Sequence, residues 1–286
     1  MPGGDNMNII KMFEPGPPID ICVVGCGGAG IATLREVNAE HTHMKKVAIN
    51  LCPGGSLLSA QAHNKVYLSE RNMEDYNADD VYHLAIANYG KITEAIGAPD
   101  IIIVICALKG RTGLGTAKAL KKIYEDKLVL VLGYLPFCFE GSFNANKAIE
   151  YIGDGNIWLI DNQMIANLCP SQKFVKVLKI ANQMANAFVE HIASGFTKKS
   201  IDVLKKHPVK GKADMGMGTS LLQALNDING ERAKCAFVSV KVPEKDAFRV
   251  EHFARYLEET QTIATEKLLI SSFSGYRTEI LTVREY

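Results

Sequence analysis

The 286-residue sequence predicts an α/β protein with a Rossmann-like parallel-sheet domain, a long central helix and a smaller α/β C-terminal domain. Three observations carry that expectation. Continuously apolar runs of strand length alternate with helical stretches through the first 173 residues, the pattern of parallel strands buried on both faces. A stripe of Phe174, Val177, Leu178, Ala181, Ala185, Phe188 and Ile192 then recurs at three- and four-residue spacing, which marks one long helix with a single buried face. Beyond the basic stretch Lys198–Lys212, the strand-length runs Cys235–Val242, Lys267–Phe273 and Glu279–Val283 surround a helical pattern over Ala247–Glu259.

The chain opens with an arm, residues 1–18, that ends in Pro15, Gly16, Pro17 and Pro18 where the apolar run Ile19–Val24 begins. Its Ile9, Ile10, Met12 and Phe13 suit either a disordered tail or a segment that docks on a neighbouring subunit. After the first strand come Gly25-Cys26-Gly27-Gly28-Ala29-Gly30 and a helix over Ile31–Glu40. Further strands are expected at Lys46–Ile49, Asp100–Cys106, Leu128–Leu132 and Asn156–Ile160, with helices at Ala78–Ile96, Thr116–Asp126 and Asn144–Tyr151. The units are therefore the arm 1–18, a domain over 19–173, the central helix 174–196 and a C-terminal region over 197–286.

Lys and Arg number 32 against 31 Asp and Glu, so a net charge of +1 gives no global field for DNA or a membrane surface. Any bound anion must be held locally. The seven cysteines contain no C-x-x-C pair and sit mostly in apolar runs, which suits small buried side chains in a reducing cytoplasm. Neither a secretory signal nor a run of about 20 apolar residues is visible, so the expected protein is cytoplasmic and not membrane-inserted. His41 and His43 lack further ligand partners, and no metal site is expected from side chains alone.

Two glycine-rich turns carry the chemistry. Glycine lets backbone N–H groups close around phosphate oxygens, and a following helix adds partial positive charge. The first turn, Gly25-x-Gly27-Gly28-x-Gly30, departs from the dinucleotide fingerprint because its third glycine is misplaced; a tight turn needing small residues is the alternative. The second, Lys109-Gly110-Arg111-Thr112-Gly113-Leu114-Gly115-Thr116, adds hydroxyls and two cations but is not a Walker A loop. Two such turns in one sheet point to a nucleoside di- or triphosphate.

The first turn resembles the opening nucleotide loop of the tubulin/FtsZ superfamily, and Gly110-Arg111-Thr112-Gly113-Leu114-Gly115 resembles its GGGTG[ST]G signature. Pro136-Phe137-Cys138-Phe139-Glu140-Gly141 is similar to the PF-x-FEG segment of FtsZ, and Gly275-Tyr276-Arg277-Thr278-Glu279-Ile280 to a later FtsZ segment. The resemblance spans about Ile19 to Ile280. It implies the tubulin/FtsZ fold, a GTP/GDP-binding domain with Mg²⁺ as an optional companion, and head-to-tail assembly of the chain with itself. It further implies a GTPase whose hydrolysis is completed by the next subunit's loop. Under it, Gly25, Gly27, Gly28 and Gly30 line the phosphates, with Gly110, Thr112, Gly113 and Gly115 around the β- and γ-groups. Glu140 takes the ribose hydroxyls, Asn162 and Asn182 face the base, and Phe174 packs either on the base or in the core.

The departures are equally specific. Where FtsZ has Asn-x-Asp-x-x-Asp after its central helix, this chain has Thr197, Lys199 and Asp202, so Asp202 is the one surviving catalytic carboxylate. Cys52 replaces an acid, and Ala32 and Arg35 replace asparagines. Lys109 and Arg111 either reach the phosphates in the manner of a metal or an arginine finger, or are solvated loop cations. The basic cluster Lys198–Lys212 suits a protein contact better than direct nucleic-acid binding. FtsZ chains usually continue into an adaptor-binding tail, whereas this sequence stops at Tyr286, so that route to a membrane is not expected. Two readings remain open: a divergent GTP-dependent filament former with slow or altered hydrolysis, and a degenerate relative that binds nucleotide weakly or not at all and modifies another FtsZ/tubulin-like filament. A Rossmann oxidoreductase would need an acid after the second strand, where Asn50, Leu51 and Cys52 stand.

Overall fold

Six parallel strands build the N-terminal half of a ten-stranded sheet in the computed structural model, which describes residues 17–38, 43–71, 74–218, 235–242, 263–273 and 278–285. Residues 1–16, the helix expected at Ala247–Glu259 and residues 274–277 of the late FtsZ-like segment lie outside the described residues. The first half runs β1 (Ile21–Cys26), α1 (Gly27–Thr33), β2 (Met44–Asn50), α2 (Gly55–Leu58), β3 (Asn64–Tyr67), α3 (Ala78–Ala87), α4 (Tyr89–Ile96) and β4 (Ile101–Ala107). It continues through α5 (Arg111–Ile123), β5 (Leu128–Leu135), a 3-10 turn (Cys138–Glu140), α6 (Ala145–Ile152), β6 (Asn156–Asp161) and α7 (Asn162–Leu168). Then follow α8 (Phe174–Gly195), α9 (Lys198–Lys206), β7 (Lys210–Gly218), β8 (Cys235–Val242), β9 (Ile263–Phe273) and β10 (Thr278–Glu285).

The strand order is β3-β2-β1-β4-β5-β6-β7-β10-β8-β9, with β10 antiparallel to both β7 and β8. From β1 the chain steps outward to β2 and β3, then returns to the other side of β1 with β4. That reversal opens a crevice beyond the carboxyl ends of β1 and β4, the switch point where α/β sheets bind ligands.

Alternation along each central strand feeds two cores. Ile21, Val23, Ile103, Ile105, Leu130 and Trp158 pack on the α1 and α8 side, while Cys22, Val24, Ile102, Val104, Val131 and Leu159 pack on the α3, α5 and α6 side. The double-sided apolar runs are thus explained by helices on both faces. On α8 the stripe is buried at Val177, Ala181, Ala185, Phe188 and Ile192, whereas Phe174 and Leu178 in its first turns are exposed. Among the described residues no helix is long and apolar enough to cross a membrane.

Several boundaries differ from the sequence reading. The helix expected over Ala78–Ile96 divides at Asn88, whose Nδ2 donates to Leu68 O (3.0 Å) and Leu84 O (2.9 Å) and so ends one helix. The helix expected from Thr116 begins five residues earlier, at Arg111, so the signature turn is largely helix. Within the basic stretch, Lys198–Lys206 is an amphipathic helix capped by Thr197 and Ser200, with Ile201, Val203 and Leu204 buried beneath its lysines. β7 follows it and joins the sheet through β6 on one side and β10 on the other.

α8 is tied to the C-terminal strands by a buried polar group. His191 Nε2 lies 2.8 Å from Ser239 Oγ on β8 and Nδ1 lies 3.4 Å from Glu279 Oε2 on β10, with Lys241 Nζ 3.7 Å from the same carboxylate. Burial pushes the imidazole below its ordinary value of 6.5, against the pull of Glu279. The unfolded chain then binds the extra proton first, so this residue's stabilising contribution is full above pH 6.5 and declines as pH falls from there toward the lowered folded value. Urea denaturation at neutral pH and at pH about 5.5 should show a larger acid loss of stability for the native chain than for His191→Gln.

Candidate functional site

Pairing of β1 with β4 places Cys26 opposite Cys106, so both glycine-rich segments leave the sheet side by side. They touch. A Cβ built on Gly27, whose φ is +68°, would lie 3.4 Å from Gly113 N and from Thr112 Cβ. Helices α1 and α5 begin there, and neither Cys26 nor Gly110 supplies a side-chain cap. The first-turn amides of both helices therefore lack intrahelical partners and bring two partial positive charges to one crevice.

The glycines divide into four kinds. Gly27 needs the left-handed backbone. Gly25, Gly30, Gly113 and Gly115 allow close approach: a Cβ would stand 2.6 Å from Gly30 O, 2.0 Å from Ile105 O, 2.8 Å from Cys106 Cβ and 2.3 Å from Ala78 O respectively. Gly28 faces open space, with nothing within 4 Å of a Cβ, and its exposed backbone is the free wall of the crevice. Gly110 caps α5 and sends its own N–H to Ala107 O (3.1 Å).

The two cations of the second segment, Lys109 exposed and Arg111 half-buried, bond to backbone carbonyls and pair with no acid among the described residues. Arg111, the first residue of α5, donates through Nη1 to Glu74 O and to Tyr76 O (3.0 Å), and Lys109 Nζ donates to Glu140 O. They pin the segment before α3 and the 3-10 turn to the glycine crevice. Glu140 uses Oε1 to accept from Phe137 N–H (3.0 Å). The neighbouring rings of Phe137, Phe139 and Phe174 form a partly exposed cluster with centroids 4.9 to 5.5 Å apart.

Asn162 opens α7 at the carboxyl end of β6, on the same edge as the glycine segments; it is buried and its Oδ1 has no hydrogen-bond partner. A buried orphan acceptor of this kind costs free energy unless a ligand satisfies it. Asn182, on α8, is engaged differently: its Oδ1 lies 3.0 Å from Thr33 Oγ1 and 3.2 Å from Tyr134 Oη, and those two hydroxyls lie 2.9 Å apart. The triangle joins α1, β5 and α8. Thr33 and Tyr134 escaped the sequence reading because isolated hydroxyls beside apolar residues form no motif.

Asp202 is exposed on α9, at the other end of the sheet. Lys198 Nζ lies 3.8 Å from Asp100 Oδ1, and Asp100 accepts from Asp20 N–H (3.0 Å), residues that precede β4 and β1. A strand the length of β1 spans about 20 Å, so Asp202 cannot reach the glycine crevice of its own chain. Lys199 stands exposed on the same first turn of α9.

These features define an α/β fold with two helix N-termini converging at a sheet's switch point, and it is the tubulin/FtsZ fold. The empty FtsZ dimer of M. jannaschii superposes with a TM-score of 0.71 at 20% identity, covering 93% of this chain and 88% of that one. CetZ from Methanosaeta thermophila gives 0.70 at 16% identity, covering 94% and 87%. TubZ of the Clostridium botulinum phage c-st, truncated at its C-terminal tail, gives 0.61 at 16%, covering 93% and 91%. No family model matches the sequence. In sequence it is 26% identical over 250 residues to cell division protein FtsZ 1 of Thermococcus kodakarensis, covering 77% of this chain and 67% of that protein. It is also 26% identical over 255 residues to FtsZ 1 of Methanocaldococcus jannaschii, covering 78% and 70%. The aligned part spans about two thirds of the length of these relatives. The chain is a divergent, FtsZ-like member of the tubulin/FtsZ superfamily.

The packing glycines and the open one should respond differently to substitution. Gly30→Ala should lower the stability by about 1–3 kcal/mol, because a methyl cannot fit against Ile105 O. Gly28→Ala should change it by no more than about 0.5 kcal/mol; chemical denaturation of both variants checks the distinction.

Proposed function

We propose that this chain binds GTP in the crevice between the two glycine segments and assembles head to tail, with slow hydrolysis completed by residues 197–202 of the next copy. One observation carries the reading: the uncapped starts of α1 and α5 meet at one edge of the sheet while Asp202 is held at the opposite edge. A head-to-tail stack would bring these two edges together, and a single copy cannot.

The residues present fit a guanine nucleotide. Backbone amides of Gly27 and Gly28 and of the α5 first turn, around Thr112 and Gly113, would receive the phosphates, with Gly110 and Gly115 shaping that turn. Glu140 retains an oxygen for a sugar hydroxyl. Asn162 offers its orphan Oδ1 to a ring N–H or amino group of the base, and Asn182 its Nδ2, which has no partner among the described residues. Asp202 would accept a proton from the attacking water of the neighbour's site. FtsZ and TubZ structures among the relatives include a dimer and a nucleotide-form protofilament, which supports self-association as the mode of assembly.

A regulator of another filament is the competing reading, favoured by one feature. Lys198 and Lys199 stand exposed on the same short helix as Asp202, and Lys199 falls where FtsZ carries an acid. Sedimentation with and without GTP, run alongside phosphate release at increasing protein concentration, separates the two. GTP-dependent pelleting and a turnover per chain that rises with concentration support the filament former; a monomer with no phosphate release overturns it. Asp202→Ala should cut turnover by about a hundredfold while leaving the GTP affinity of the monomer within about threefold, because the side chain lies far from its own crevice.

A further inference from the structure

We infer that the N-terminal arm of one copy, through Ile9, Ile10, Met12 and Phe13, docks on the aromatic cluster of the next copy in a head-to-tail stack. This docking rests on the head-to-tail reading and adds an apolar contact to that junction. The cluster lies at the sheet edge that bears the glycine segments. Phe137 and Phe139 follow the carboxyl end of β5, and Phe174 opens α8 against them, with ring centroids 4.9 to 5.5 Å apart.

The described residues leave much of this apolar surface open. Phe139 is 67% exposed, and Val175, beside Phe174 in the first turn of α8, is 76% exposed. Leu178, one turn along from Phe174 on the same helix face, is exposed as well. Large apolar side chains grouped in this way mark an interaction surface, and Lys173 and Lys176 stand exposed among them. The arm is complementary in both respects. It places four large apolar residues within positions 9–13, and Glu14 follows them directly as a partner for the lysines.

The root of the arm is fixed at the opposite edge, the one that bears Asp202. Ile19 is buried in the core, Asp20 N–H donates to Asp100 Oδ2 (3.0 Å), and Asp100 N–H donates to Asp20 O (2.8 Å). The other carboxylate oxygen of Asp100 lies 3.8 Å from Lys198 Nζ at the start of α9, so arm and α9 leave the body side by side. Pro17 and Pro18, both exposed, then stiffen the exit. Reach decides which copy is touched. Met12 stands five residues before Pro17 and can lie at most about 18 Å from it. The two edges are separated by the length of β1, about 20 Å, and the cluster is displaced further by the strands between β1 and β5. Met12 and Phe13 therefore fall short of their own cluster, whereas a stacked neighbour presents its cluster to the edge from which the arm emerges.

Cys138, exposed between Phe137 and Phe139, supplies a native cross-linking probe. Full-length Met12→Cys, treated with oxidised dithiothreitol in the presence of GTP, should give a ladder of covalently joined copies on non-reducing gels, and Cys138→Ser in the same chain should abolish it. Sedimentation gives the second readout: Ile9→Asp with Phe13→Asp, and separately Val175→Asp, should each raise the critical concentration for GTP-dependent assembly by about tenfold or more. Both should leave GTP affinity within about threefold of the native value, and circular dichroism checks that each variant folds. If the native chain assembles but Met12→Cys joins only within one chain or not at all, or the arm variant assembles at the native critical concentration, the docking is overturned and the head-to-tail reading stands. A native chain that stays monomeric in GTP overturns that reading, and this docking with it.

Discussion

The side-by-side pairing of β1 and β4 is the constraint on which the site depends. Their register sets Cys26 against Cys106, and each strand hands directly into a helix. Two helices can start this close only if the residues at the junction lack side chains. Gly30 against Ile105 O and Gly113 against Cys106 Cβ meet that requirement, and Gly27 turns the chain with a backbone that other residues resist. The outcome is two sets of unpaired amides facing one space. A methyl group at any of the packed positions would push a helix start off the strand or helix it rests on before it touched a ligand.

The opposite edge of the sheet is organised around a different balance. α9 follows α8 after only Phe196 and Thr197, and its start is held near Asp100 by Lys198. The sheet itself therefore fixes the separation between the edge bearing the two glycine segments and the edge bearing Asp202. α8 runs between these ends, joined to α1 through Asn182 and Thr33 and to the C-terminal strands through His191. A shift of this helix would be felt at both ends. That mechanical link follows from the two polar anchors, each buried or partly buried and each short in hydrogen-bond reserves.

Much of the fold was legible because double-sided burial leaves an unmistakable trace. β4 reads Ile-Ile-Ile-Val-Ile-Cys, and no solvent-facing strand would. The start of α5 was not legible, since Arg-Thr-Gly-Leu-Gly carries two glycines that each disfavour a helix by about 1 kcal/mol. Tertiary packing against Cys106 and Ala78 overrides that local preference. β7 and α9 were hidden by their lysines: Lys210-Gly211-Lys212 reads as a loop until β6, β10 and the buried Arg284–Asp214 pair define its partners. Of the candidate site, the glycines and Asn162 were singled out from the chain through a resemblance, and the structure sets them at the carboxyl ends of β1, β4 and β6. The clamping contacts of Lys109 and Arg111 could not be found that way, because their acceptors are backbone carbonyls some thirty residues away, and carbonyls have no sequence signature.

The central claim is that two separate glycine segments act as one anion site. Hydrogen–deuterium exchange resolved by peptide, with and without GTP, tests it most directly. Protection should appear together in the peptides covering 25–30 and 109–115, with little change at 197–202 when the chain is kept dilute. Protection confined to one of the two glycine segments, or absent from both while GTP is bound, would contradict it.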